Sequence, residues 1–218
     1  MERFKDRQDA GKQLAQALLE RYQSQNNTLI LALPRGGVPV AYEIALALRL
    51  PMTVFLVRKL GVPRHGELAM GAIAEQGVCI LNNPLIEQLG ITEEQIQFIK
   101  NQEQQELERR IQCYRQGQSL ASLYGKTIIL VDDGIATGST LKAAILTLNR
   151  LKPEKIVLAV PLASKESLEK LAPLVTEIVC LMTPAPFYSV GQWYESFLQT
   201  SDEEVIFLLK NRKISQLK

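Results

Sequence analysis

The chain has 218 residues, of which 46% are apolar and 22% charged, enough to bury a full core as one large or two small domains. Its net charge of +2 sets up no field that would gather nucleic acid, and no Lys/Arg run argues for one. No window approaches the 18 apolar residues of a membrane span, and the N-terminal MERFKDRQDAGKQL lacks an apolar signal region, so a cytoplasmic protein with no membrane partner is expected. Cys79, Cys113 and Cys180 are odd in number and far apart, and read as reduced thiols. With His65 as the only histidine, a His-based zinc site or a Ser-His-Asp triad has little material.

In chain order, Leu14, Ala17, Leu18 and Tyr22 share one face and predict a first amphipathic helix over 9–23. Thr28–Leu33 reads as a buried strand. It runs into Pro34-Arg35-Gly36-Gly37-Val38-Pro39 and then an Ala/Leu-rich helix to about Leu50. Taken alone, this is a βα turn with Pro and Gly as breakers. Met52–Val57 is the next strand, closed by Arg58 and Lys59. The Gly-rich stretch that follows shows little periodicity and predicts a flexible loop over about 58–77, although Glu67–Ala72 also fits a short strand. Val78–Leu81 reads as a short strand and Leu85–Leu89 as a small helix. Thr92-Glu93-Glu94-Gln95 is a capping-box start to a long helix reaching about Gln116. Its charged face reads as solvated; a dimer face is the alternative, and a homodimer stays open.

The most informative stretch is Lys126–Arg150, KTIILVDDGIATGSTLKAAILTLNR. Thr127–Val131 has the apolar, β-branched run of a strand buried on both faces. Asp132 and Asp133 stand where that strand leaves its sheet. Gly134-Ile135-Ala136-Thr137-Gly138-Ser139-Thr140 is a small-residue turn feeding a helix. Such a turn exposes backbone N–H groups at the positive end of a helix dipole and holds a phosphate without Lys or Arg. Two carboxylates would repel that phosphate, so they face hydroxyls or a cation elsewhere on the same ligand. A sugar phosphate with free hydroxyls satisfies both halves.

After this stretch, Lys155–Val160 and Thr176–Leu181 read as strands, with a helix capped by Ser164 between them. Phe187, Tyr188, Trp193, Tyr194 and Phe197 crowd a Pro/Gly-rich segment, and Asp202 starts a terminal helix. The strands and helices give the α/β class, a parallel doubly wound sheet of about five strands with ligand loops at the strand C-termini.

VDDGIATGST, with the preceding IIL, resembles the phosphoribosyl pyrophosphate (PRPP) binding signature of type I phosphoribosyltransferases. The resemblance covers about residues 28–182 and implies a single domain over 1–218. A small hood would form from both termini, about 1–27 and 183–218. It implies that Asp132 and Asp133 hold the ribose hydroxyls while Gly134–Thr140 wraps the 5-phosphate. Arg35, Gly36 and Gly37 match the loop that receives pyrophosphate. The 58–77 loop becomes a catalytic lid, with Arg58, Lys59, Arg64 and His65 as cationic candidates beside the leaving group. In the hood, Phe187, Trp193 or Tyr194 would stack on a base, against the alternative of a small accessory core.

The implied reaction moves the phosphoribosyl group of PRPP to a small nitrogen acceptor, a nucleobase in nucleotide salvage. Mg²⁺ would be carried by PRPP near Asp132 and Asp133, with no metal held by the protein alone. Gly134 stands where the family more often has an aliphatic residue. Ala136 stands where the hypoxanthine/guanine branch carries an aspartate, which makes that branch a poorer fit unless another acid, such as Glu67 or Glu75, serves. A non-catalytic PRPP sensor is the rival. A P-loop hydrolase lacks GxxxxGK[ST], and a Rossmann oxidoreductase lacks GxGxxG after its first strand.

Overall fold

The computed structural model describes residues 3–63 and 65–211. They form two compact units. The first takes in residues up to 55, 123–138 and those from 153 onward; the second takes in 56–122 and 139–152.

The first unit is built on five parallel strands: β1 (Thr28–Ala32), β2 (Met52–Val54), β6 (Thr127–Val131), β7 (Lys155–Leu162) and β8 (Glu177–Met182), in the order β2-β1-β6-β7-β8. Every residue of β1 and β6 is buried, as expected of adjacent central strands, and their five residues pair in continuous register from Thr28/Thr127 to Ala32/Val131. Helix α1 (Arg7–Tyr22) lies along β7 and β8 and against α2 (Gly37–Leu48), which covers β1, β2 and β6. Asp6 caps α1 by accepting from the Asp9 N–H. Helices α6 (Lys165–Leu171) and α7 (Asp202–Asn211) complete this unit. Strand order reverses between β1 and β6, and a crevice opens at the C-terminal ends of two strands that part in this way.

In the first unit the segment at Phe4 meets residues 193–195. Phe4 bridges Tyr194, donating its N–H to the Trp193 carbonyl at 3.0 Å and accepting from Glu195 N at 2.8 Å. Phe4, Ala10, Leu162 and Tyr194 form a buried cluster, with Phe187, Val190 and Trp193 packed around it.

The second unit differs most from the sequence reading. Instead of a flexible loop, 58–77 contributes β3 (Val57–Val62) and β4 (His65–Ala74), an antiparallel pair extended by β5 (Cys79–Leu81). Register shifts at Leu60/Gly61 and Gly61/Val62 break the period of two, and Ala and Gly at inward positions hide the apolar alternation. Gly71 is one such position: a Cβ there would overlap the Ile80 carbonyl. Helices α3 (Asn83–Leu89), α4 (Glu93–Arg115) and α5 (Ser139–Arg150) pack on these strands, and α4 begins with the expected Thr92/Gln95 capping box. Among the described residues, no helix is long and apolar enough to cross a membrane.

Candidate functional site

The switch point in the first unit brings two turns together. One leaves β1 through Leu33-Pro34-Arg35-Gly36, with a cis peptide between Pro34 and Arg35, and enters α2 at Gly37. The other leaves β6 through Asp132 and Asp133. They are tied by the Leu33 N–H donating to the Val131 carbonyl at 2.9 Å. Their approach is closest at the two glycines. A Cβ on Gly36 would overlap the Asp133 carboxylate, and one on Gly37 would stand 2.7 Å from the Val131 carbonyl oxygen. Backbone contact of this kind needs glycine for want of space.

Asp132 accepts the Asp133 N–H on Oδ1 at 2.9 Å. Burial pushes its carboxyl well above the usual range, and the neighbouring Asp133 charge adds to the shift. Burial raises Asp133 as well, opposed by Arg7. Arg7, the first residue of α1, donates Nε–H to Asp133 Oδ2 at 2.8 Å and Nη1–H to the Leu198 carbonyl at 2.6 Å. Its guanidinium lies 3.9 Å from the centre of the Phe197 ring. The Tyr194 hydroxyl donates to the Asp133 carbonyl at 2.6 Å, and burial pushes that phenol strongly upward.

Beyond Asp133 the turn is pinned to the start of α6. Ile135 bridges Ala163, donating to the Leu162 carbonyl and accepting from Ser164 N, both at 3.0 Å. The Ala136 carbonyl receives two hydroxyls, Ser164 Oγ at 3.1 Å and Ser167 Oγ at 2.6 Å. Gly138 has φ +70°, a left-handed conformation that favours glycine. Ser139 and Thr140 follow directly in the chain as the first residues of α5, in the second unit.

The first unit thus gathers Asp132, Asp133, Gly134, Ile135, Ala136, Thr137 and Gly138 with Gly36 and Gly37. Arg35 belongs to the same turn, with Nη1 3.7 Å from the Asp202 carboxylate at the start of α7. Arg58 and Lys59 lie on β3 of the second unit, where Arg58 Nε donates to Glu103 at 2.6 Å. Arg64 and the Glu67 side chain lie outside the described residues. Glu75 is no replacement acid for a base: it is buried in an ion pair with Arg115, whose partner position on α4 the sequence did not reveal.

The hood aromatics pack mainly on one another. Tyr194 is 3% exposed, with ring centres of Phe4 at 5.5 Å and Phe197 at 5.0 Å, so it has no free face for a base. Phe187 and Trp193 are half-buried around the same cluster, and Tyr188 is exposed. Sequence reasoning missed Arg7 and the Ser164/Ser167 pair on Ala136. A capping serine gave a partial signal for the latter, whereas Arg7 lies 126 residues from its carboxylate with no local motif.

The chain is similar to known proteins. The phosphoribosyl transferase domain family matches residues 1–182. Two Mycobacterium tuberculosis proteins assigned as phosphoribosyl transferases are each 44% identical over 209 residues, 96% of this chain and 47% of theirs. The chain therefore spans about half the length of these curated relatives. A crystal structure from Thermus thermophilus superposes with a TM-score of 0.85 at 36% identity, covering 96% of this chain and 98% of that one. A structure from Aquifex aeolicus shares the fold at a TM-score of 0.50 and 13% identity, over 80% of this chain and 73% of its own. With its five-stranded parallel sheet and a family match over most of its length, the chain belongs to the phosphoribosyl transferase domain family.

Proposed function

We propose that this chain transfers the 5-phosphoribosyl group of PRPP to a nitrogen acceptor, with a nucleobase as the favoured class, and releases pyrophosphate. The observation that carries the reading is the junction at the switch point, where Gly36 stands against the Asp133 carboxylate. That contact sets a carboxylate pair suited to a sugar diol beside an arginine-bearing turn suited to a diphosphate. A single ligand with both groups spans the two turns.

In this reading Asp132 and Asp133 accept hydrogen bonds from the ribose hydroxyls. From Ala136 to Gly138 the turn offers backbone N–H groups to the 5-phosphate, held in shape by the two serine hydroxyls on Ala136. Arg35 and the Gly36–Gly37 backbone take the diphosphate. The acceptor nitrogen's lone pair forms the bond to the anomeric carbon as the bond to pyrophosphate breaks, and the pyrophosphate leaves with that electron pair. The proton that the nitrogen sheds passes to solvent or pyrophosphate. Carboxylates near the anomeric carbon favour the positive charge that builds there, so catalysis is mainly positioning and electrostatics.

The donor chemistry fits Mg²⁺ in a limited way. Two adjacent carboxylates are hard oxygen donors, yet Asp133 has one oxygen engaged by Arg7. Mg²⁺ arriving with PRPP would lie beside the Asp132 and Asp133 carboxylates, held chiefly by the ligand and not by the protein alone. When bound it would offset charge on the leaving diphosphate.

Calorimetric titration with PRPP and Mg²⁺, followed by pyrophosphate release across a panel of nucleobases, tests the proposal. Binding with release in the presence of one base identifies both class and acceptor. Binding without release from any base favours a PRPP sensor, and no binding overturns the reading.

A further inference from the structure

Arg7 is held at three points on its guanidinium. Nε is bonded to Asp133 Oδ2, Nη1 to the Leu198 carbonyl, and one planar face lies on Phe197. The ion pair is largely shielded, with 12% of the Arg7 side chain and 15% of the Asp133 side chain exposed. Exposed pairs contribute little because both partners wander; here the cation is fixed by two groups that are not its charge partner. Asp133 is correspondingly confined. One oxygen faces Arg7, its carboxylate stands against Gly36, and its own carbonyl receives Tyr194.

We propose that Arg7 is a positioning residue for PRPP: by anchoring Oδ2 of Asp133 it aims the other oxygen at a ribose hydroxyl and cancels one of two adjacent negative charges that face an anionic ligand. The inference rests on the PRPP reading above and extends it to a residue of α1. A carboxylate without that anchor rotates about its terminal bond and spends part of its time turned from the sugar. The uncompensated acid pair also repels PRPP. A lysine at this position restores the charge but, as a point donor, cannot span Asp133 and Leu198 together.

The test is calorimetry on the full chain with two probes, PRPP plus Mg²⁺ and inorganic pyrophosphate plus Mg²⁺, for wild type, Arg7→Gln and Arg7→Lys, with a melting curve for each. PRPP affinity should fall about 10-fold or more in Arg7→Gln, as expected for loss of a shielded charge-assisted contact. Pyrophosphate affinity should stay within about 2-fold, because Arg35 and its turn are untouched. Arg7→Lys should recover most of the loss. Should Arg7→Gln fail to fold, Arg7→Lys carries the same comparison: a small loss confined to PRPP supports positioning. Unchanged PRPP affinity in a folded Arg7→Gln overturns the inference. So does an equal loss of both probes in both variants, which would show that Arg7 only holds the hood together. Absence of PRPP binding in wild type removes the functional reading itself, and the inference with it.

Discussion

Replacing Asp132 by Asn keeps the side chain's shape and its Oδ1, which accepts the Asp133 N–H at 2.9 Å, while deleting one charge from a buried acidic pair. The ionised form of Asp132 is costly, first through burial and then through Asp133. Two like charges about 4 Å apart repel by about 4 kcal/mol at the effective dielectric of a protein surface. Arg7 on Asp133 offsets a large part of that. A net relief of about 1–2 kcal/mol remains, which for a chain of this length raises Tm by about 2–8 °C. A carboxyl whose folded-state pKa lies above its unfolded value stabilises fully below the unfolded pKa, and loses that contribution as pH rises through the folded pKa. The gap between Asp132→Asn and wild type should therefore close in acid, where both side chains are neutral, and open as pH rises through the raised Asp132 value. Melting curves by circular dichroism, taken from acid to mildly alkaline pH, read the gap directly. PRPP titration of the same variant should show affinity lost by at least about 10-fold, since one charged acceptor is gone. An Asp132→Asn protein that melts below wild type at the alkaline end, or a gap independent of pH, would refute the electrostatic account.

Two further outcomes are expected. Glu75→Gln leaves the buried Arg115 guanidinium without its carboxylate. It should cost about 3–5 kcal/mol in urea unfolding, while Glu75→Leu with Arg115→Met recovers most of it; equal loss in the double variant would count against an ionic origin. Burial pushes the Cys180 thiol up to about 11, and its Sγ donates to the Met182 carbonyl at 3.2 Å. Iodoacetamide at pH 8 should therefore label the exposed Cys79 well before Cys180, as mass spectrometry of digests would show, and preferential labelling of Cys180 would contradict its burial.

The parallel sheet was legible because β1 and β6 are buried on both faces and so read as unbroken apolar runs ending in Gly, Pro or Asp. The Asp132–Thr140 turn was legible because its chemistry lies within nine consecutive residues. Neither condition holds for the remainder. The β3–β4 hairpin hides behind a bulge at Leu60–Val62 and behind alanines and glycines that carry no hydropathy signal. Glu75 looked like a loop acid because its partner Arg115 sits far along the chain at the end of α4, with no local motif to join them. The aromatic cluster at 187–197 was readable as an accessory core, but not that its Tyr194 hydroxyl would reach the Asp133 carbonyl.

The hood and the acid pair are mechanically one object. Three contacts converge on residues 133 and 134, and all come from the terminal segments: Arg7 on the Asp133 carboxylate, Tyr194 on its carbonyl, and Val190 beside Gly134. A Cβ at Gly134 would stand 2.7 Å from a Val190 methyl, so an aliphatic residue there would push the hood away from the turn. Glycine at 134, the position where this chain departs from the resembled signature, is thus matched to a hood that sits close. The same closeness lets Arg7 and Tyr194 reach Asp133. A larger residue at 134 would therefore be felt at the Asp133 carboxylate through these two side chains.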